Sequence, residues 1–145
     1  AIKQTFKKYG NLLIEELIEG TEITVGVLGD EALPVIEIIP PKDAEFDFIN
    51  KYNGETQELC PPISVSEEVQ AQAQALALKA HVLFGCRDMS RSDFMLNQRN
   101  EIFFLETNTI PGLTKESLLP KAAATAGIPM QLLVGQLVTA ALKRA

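Results

Sequence analysis

One histidine and two cysteines occur in this chain of 145 residues, and each scarcity closes a route to function. With His81 as the sole imidazole, neither a histidine-based triad nor a zinc site is readily assembled from this chain. Cys60 and Cys86 match neither a CxxC pair nor a disulfide framework, which is the pattern of reduced thiols. The 9 glycines are scattered, so no glycine cluster offers a phosphate cradle. Positive charge is also short: 13 Lys and Arg face 19 Asp and Glu, a net charge of -6. A sequence-independent grip on nucleic acid or on an anionic membrane surface rests on clustered Lys and Arg and is therefore not expected. No apolar run approaches the length of a membrane span, and the opening AIKQTFKKYG lacks the charged-then-apolar layout of a signal peptide. A soluble, cytoplasmic protein is the expectation.

What is present is the composition of one globular domain, 46% hydrophobic and 22% charged. The chain starts with Ala inside what reads as the basic end of a helix closed by Gly10, as a fragment would. NLLIEELI reads as a buried strand ending near Glu15. EITVGVLG and LPVIEIIP are β-branched runs around the turn signal GDEA, an antiparallel hairpin. From Pro40 to Pro62 periodicity gives way to a loop of about 20 residues, longer than the ~12 to 15 at which a structureless loop usually signals function or disorder. Ser66 then opens a helix with Val69, Ala73, Leu76, Ala80 and Leu83 as its inward stripe and Gly85 as its end; His81 flanks that stripe without chemistry of its own. MSRSDFML and EIFFLETN are strands joined by the turn NQRN. SLLPKAAATAG reads as a short helix, and Pro129 begins a last one packing through Leu132, Leu133, Leu137 and Ala140. The sum is an α+β fold, a mainly antiparallel sheet backed by helices.

Side chains alternate along a strand, so Arg91, Asp93 and Met95 share one side of theirs while Phe104, Glu106 and Asn108 share one side of the next. If Arg99 and Asn100 form a two-residue turn, Asp93 lies opposite Glu106 and Arg91 opposite Asn108; a four-residue turn would shift the register by two and leave all of them on the same face. Two opposed carboxylates repel unless positive charge lies between them. A hard divalent cation of the magnesium type would take these carboxylate and carboxamide oxygens and complete its shell with water and phosphate. An ordinary ion-pair network in which Arg91 neutralises both acids fits the same residues, and pattern alone leaves both open.

The strings EELIEGTEITVGVLGDEALPVIEI, KYNGETQELCPP, GCRDMSRSDFML and LETNTIPGLTKESLLPKAA, in this order and spacing, resemble the C-terminal part of the D-alanine:D-alanine ligases of the ATP-grasp superfamily. The resemblance covers nearly the whole chain. It implies that residues 1–145 are the C-terminal ATP-grasp domain, with residues 1–14 the tail of the central domain, and that the N-terminal domain and most of the central domain are absent. It also implies a reaction: ATP phosphorylates the carboxylate of one D-alanine, and the amine of a second attacks the acyl phosphate to give a dipeptide for peptidoglycan.

Residue roles follow from the same resemblance. Asp93, Glu106 and Asn108 would hold two magnesium ions, or manganese in their place, against the ATP phosphates, with Glu106 shared. Arg91 would stabilise the tetrahedral intermediate, and the Gly112 N–H would help bind its oxyanion. Glu15, Glu16, Leu17 and Ile18 would surround adenine and Glu22 would bind ribose, with Met95 joining the ATP-binding set. Glu16 and Leu17 depart from the family's usual lysine and aromatic residue, which weakens stacking on the base. Lys51 and Tyr52 match a mobile loop, the lysine near the phosphates and the tyrosine near the acceptor, and they favour D-alanine over D-lactate. Ser117 and Leu118 would bind the carboxylate of the second D-alanine, and Ser117 also suits a helix N-cap. The implied partners are D-alanine and ATP, with neither nucleic acid nor membrane, and a homodimeric parent is compatible. Taken alone, the fragment is expected to be inactive. Two other readings stay open: a stand-alone nucleotide-binding or regulatory module, and another ATP-dependent carboxylate:amine ligase.

Overall fold

A computed structural model describes residues 2–41 and 56–144. Helix α1 (Ile2–Tyr9) ends at Gly10, whose φ of 77° is the left-handed cap conformation expected there. Strands β1 (Gly20–Leu28), β2 (Glu31–Ala32), β3 (Ile36–Ile39) and β4 (Gln57–Leu59) precede α2 (Glu67–Leu83). Strands β5 (Met89–Asn97) and β6 (Ile102–Asn108) then lead to α3 (Leu118–Thr125) and α4 (Met130–Leu142). The sheet runs β4-β3-β1-β5-β6, with β2 on β1, and every pairing is antiparallel.

Alternation along β1 sends Ile23, Val25 and Val27 to one face, where they join Phe94, Leu96 and the α2 residues Val69, Ala73 and Ala77. The other face carries Ile36, which meets Leu119, Ala122 and Ala123 of α3 and Leu133 of α4. Helices α3 and α4 cover only part of this second face, and the uncovered part positions the candidate site.

Several expectations change. Residues 11–19 form no strand, and Leu13 and Leu17 are 83% and 84% exposed. A strand needs a neighbour for its backbone groups, and no described strand pairs with this stretch. The hairpin forms as expected, but its β1 arm pairs first with the two residues of β2 and then with β3. Within the long loop, the described end supplies β4; Lys51 and Tyr52 lie outside the described residues. Ser66 does cap α2, its hydroxyl accepting from the Val69 N–H at 3.4 Å. The inward stripe of α2 is nevertheless Val69, Ala73, Ala77, Ala80 and His81, while Leu76 and Leu83 face outward. Alanines let the helix sit close to the sheet, and the larger leucines find room only outside. His81 is thus buried, its Nδ1 2.7 Å from the Ser90 hydroxyl. In α4, Leu132 is exposed and only Leu133 is fully buried.

Glu37 of β3 ties down the segment before α2. Its buried carboxylate accepts from the Ile63 and Ser64 N–H groups, both at 3.0 Å, and from the Ser64 hydroxyl. Burial alone pushes this carboxyl up, but the bonds from Ser64 and Ile63 outweigh it and hold the pKa below its ordinary 4.5. A depressed carboxyl contributes stability that is present above the unfolded pKa and lost as pH falls through the folded value. Melting temperature should therefore fall more steeply below pH 4.5 in the wild type than in Glu37→Gln. Parallel acid limbs in a pH series of thermal melts would refute this.

Candidate functional site

The register places the site. Glu22 pairs with Met95, Thr24 with Asp93 and Gly26 with Arg91 across β1 and β5. Across β5 and β6, Arg91 pairs with Asn108 and Asp93 with Glu106; these are the expected pairs, reached because an extra residue in β6 offsets a turn one residue longer than the one expected. These residues lie at alternate positions of neighbouring strands, so Glu22, Thr24, Arg91, Asp93, Met95, Glu106 and Asn108 occupy one face. Phe104 does not join them. The register shifts between Asp93 and Phe94, where β6 holds one extra residue, so that Phe94 pairs with Phe104. A bulge resets the alternation and turns Phe104 to the α2 side. There its ring meets Phe94 edge-on at 5.8 Å and stacks on Phe84 at 6.1 Å. Asn100, with φ of 60°, closes the hairpin, but its N–H returns to the Asn97 carbonyl, giving a longer turn than the two-residue one expected.

Arg91 grips Asp93 as a fork, Nε to Oδ1 at 2.9 Å and Nη2 to Oδ2 at 2.8 Å. The buried Thr24 hydroxyl donates to the same Oδ1 at 2.5 Å. The hydrogen bond to Asp93 raises the Arg91 pKa against the effect of burial, and the charges of Asp93, Glu106 and Glu22 add to it. Three carboxylates thus act on one guanidinium. This is the ion pair that pattern alone allowed.

The same residues also have the chemistry for a hard cation. An ionised carboxylate offers about four lone-pair sites, of which Arg91 and Thr24 take three on Asp93. The Asn108 carboxamide oxygen accepts one bond, from the Ile110 N–H at 3.0 Å, and keeps a second lone pair. Glu106 is exposed beside them. No group of three or more His, Cys, Asp or Glu placed to hold an ion occurs among the described residues. A cation here would rely on the carboxamide and on oxygens brought by a ligand, the habit of magnesium.

After β6 the chain curls before α3. The Ser117 hydroxyl accepts from the Thr114 N–H at 3.1 Å and lies 2.9 Å from the Thr114 hydroxyl. Ser117 occupies the N-cap position of α3, yet its side chain makes no cap bond because it is turned back into this loop. A Cβ on Gly112 would stand 2.6 Å from that hydroxyl, so only glycine permits the approach. Gly112 and Ser117 are thereby brought together. The Leu118 side chain packs against the α3–α4 core. Gly26 fixes the helix: a Cβ there would stand 2.6 Å from Leu119 Cδ1, so α3 seats directly on β1 beside Arg91.

The nucleotide candidates divide. Glu22 and Met95 face each other at the open end of the site face. Glu15, Glu16 and Leu17 are exposed and Ile18 is half-buried, in a segment without regular structure. Thr24 was missed by the sequence reading; its signal is a hydroxyl among apolar strand residues, legible only once β1 is known to pair with β5.

The family model described as "D-ala D-ala ligase C-terminus" matches residues 1–139. The D-alanine–D-alanine ligase of Oleidesulfovibrio alaskensis is 45% identical over 139 residues, covering 95% of this chain and 45% of that protein. The ligase of Syntrophobacter fumaroxidans is 48% identical over 136 residues, covering 90% and 43%. Among solved structures, the D-alanine–D-alanine ligase of Coxiella burnetii superposes with a TM-score of 0.79 at 32% identity, over 99% of this chain and 38% of that one. The Bacillus anthracis ligase in complex with ATP gives a TM-score of 0.73 at 29% identity, over 89% and 40%. The chain therefore spans less than half the length of these proteins.

Proposed function

This chain belongs to the D-alanine–D-alanine ligase C-terminal family, and from that premise we propose that it is the C-terminal ATP-grasp part of an ATP-dependent ligase joining two D-alanines for peptidoglycan. Residues 1–14 are the end of its central domain. The observation that carries the reading is the gathering of Asp93, Glu106 and Asn108 with Arg91 on one sheet face, beside the α3 that follows the Gly112–Ser117 loop.

In this reading a D-alanine carboxylate oxygen attacks the γ-phosphorus of ATP, releasing ADP and leaving an acyl phosphate. The amine of the second D-alanine attacks the acyl carbon, and the tetrahedral intermediate expels phosphate and loses a proton. Asp93, Glu106 and Asn108 would hold magnesium, or manganese in its place, which when bound would supply charge neutralisation for the phosphates. The fork to Asp93 uses two of the five Arg91 N–H donors, which leaves others for the oxyanion without releasing Asp93. The Gly112 N–H serves as a second donor, and Ser117 with Leu118 receives the acceptor's carboxylate at the start of α3. Glu22 and Met95 take the ribose and base side with residues 15–18. By the family resemblance, Lys51 would serve the phosphates and Tyr52 the acceptor. The parent works in the cytoplasm and is compatible with a homodimer.

The test uses a ligase of the relatives' full length carrying this sequence as its C-terminal part. With ATP and magnesium, phosphate release should depend on D-alanine and match dipeptide formed. Release that follows another amino acid and ignores D-alanine would overturn the assignment. The 145-residue chain alone is expected to form no dipeptide.

A further inference from the structure

We propose that Thr24 is a positioning residue for Asp93, assigning one carboxylate oxygen to the protein and leaving the other for the cation; this rests on the ligase reading above. Thr24 is 1% exposed and sits directly opposite Asp93 in the ladder. Its hydroxyl has two acceptors in reach, Asp93 Oδ1 at 2.5 Å and the Ser92 carbonyl at 3.2 Å. One hydroxyl carries one proton, and the shorter contact, to a charged oxygen, is the stronger.

Counting lone pairs gives the consequence. Oδ1 accepts from Thr24 and from Arg91 Nε, which fills it. Oδ2 accepts from Arg91 Nη2 and keeps one lone pair among the described contacts. Asp93 is thus a single-oxygen ligand through Oδ2. Arg91 cannot enforce that choice, because its fork touches both oxygens alike. Thr24 can, because it is buried, contacts Oδ1 alone and has a stiff, β-branched side chain. Packing gives no reason for the hydroxyl: the neighbour across β3 is Ile36, and valine would fill the same space.

The test compares wild type, Thr24→Val and Thr24→Ser in a ligase of the relatives' full length carrying this sequence, by manganese(II) titration with a non-hydrolysable ATP analogue bound, read by electron paramagnetic resonance, with melting temperatures in metal-free buffer. Loss of an outer hydrogen bond to a metal ligand typically weakens binding about 10- to 100-fold. Thr24→Val should show a loss of that size while melting near wild type, and Thr24→Ser should bind as wild type does. Unchanged manganese affinity in Thr24→Val, whatever its melting temperature, would reduce Thr24 to a packing residue and overturn the proposal. So would a folded Thr24→Ser that binds weakly, and this variant decides the matter if Thr24→Val does not fold. If the wild-type enzyme takes up no manganese beyond what the nucleotide analogue binds by itself, the cation site of the ligase reading fails first and the role of Thr24 falls with it.

Discussion

Arg91→Lys, in a ligase carrying this sequence, is expected to cut turnover by about 10²- to 10³-fold, the usual cost of one preorganised donor to a developing oxyanion. The fork to Asp93 is nearly dry, with side-chain exposures of 13% and 10%. Lysine keeps the charge that neutralises Asp93 but replaces a planar fork by a single ammonium, which cannot hold Asp93 and reach a second oxygen together. ATP binding should change little, because the interaction forms in the transition state. Some loss of stability accompanies any change to a buried pair, so the discriminating quantity is turnover at saturating ATP, magnesium and D-alanine. Near-normal turnover with a lowered melting point would leave Arg91 as a structural neutraliser only.

Phe94→Ala should destabilise the domain by about 3 to 5 kcal/mol, the range for truncating a buried aromatic residue. Phe94 is fully buried at the centre of the α2-side core, beside the bulge and one residue from Asp93. Phe104, its edge-on partner, is 46% exposed, and Phe104→Ala should cost about 1 kcal/mol, the centre of the range for point substitutions. Denaturant midpoints of the two variants separate the roles. Equal losses would mean that the bulge distributes burial between the rings and that Phe94 is not the anchor.

The contrast between those two rings shows where sequence is legible and where it is not. Strand alternation puts Asp93 and Glu106 on one face, but their direct pairing arises from two offsetting departures, a longer turn and an extra residue in β6. Phe104 escapes the same logic because nothing in FFLE marks the extra residue: bulges often carry glycine, and this one does not. Gly10, Ser66 and Pro129 announce helix ends through local chemistry, and each stands at one. Residues 11–19 have a strand's hydrophobicity but no described neighbour, and a ladder is a property of two segments. The α2 stripe misleads because Leu76 and Leu83 outrank Ala77 in hydrophobicity, whereas the sheet selects for small size. Thr24 and Asp93 are 69 positions apart, and no turn rule connects them. The roles of Glu22, Gly112 and Ser117 rest on the family resemblance, since no spacing or alternation rule ties them to a ligand.

Strand β6 is the last in its sheet, and among the described residues nothing pairs with its outer side. An open ladder edge bearing Phe104 and Leu105 invites a second strand, and charged side chains are a common guard against that docking. The exposed Glu106 carboxylate is a charge of that kind on β6. A Glu106→Gln variant made to probe the proposed cation site would remove that charge together with the proposed ligand, so an inactive preparation could be an aggregated one. Glu106→Asp, which shortens the ligand but keeps the charge, separates chemistry from solubility.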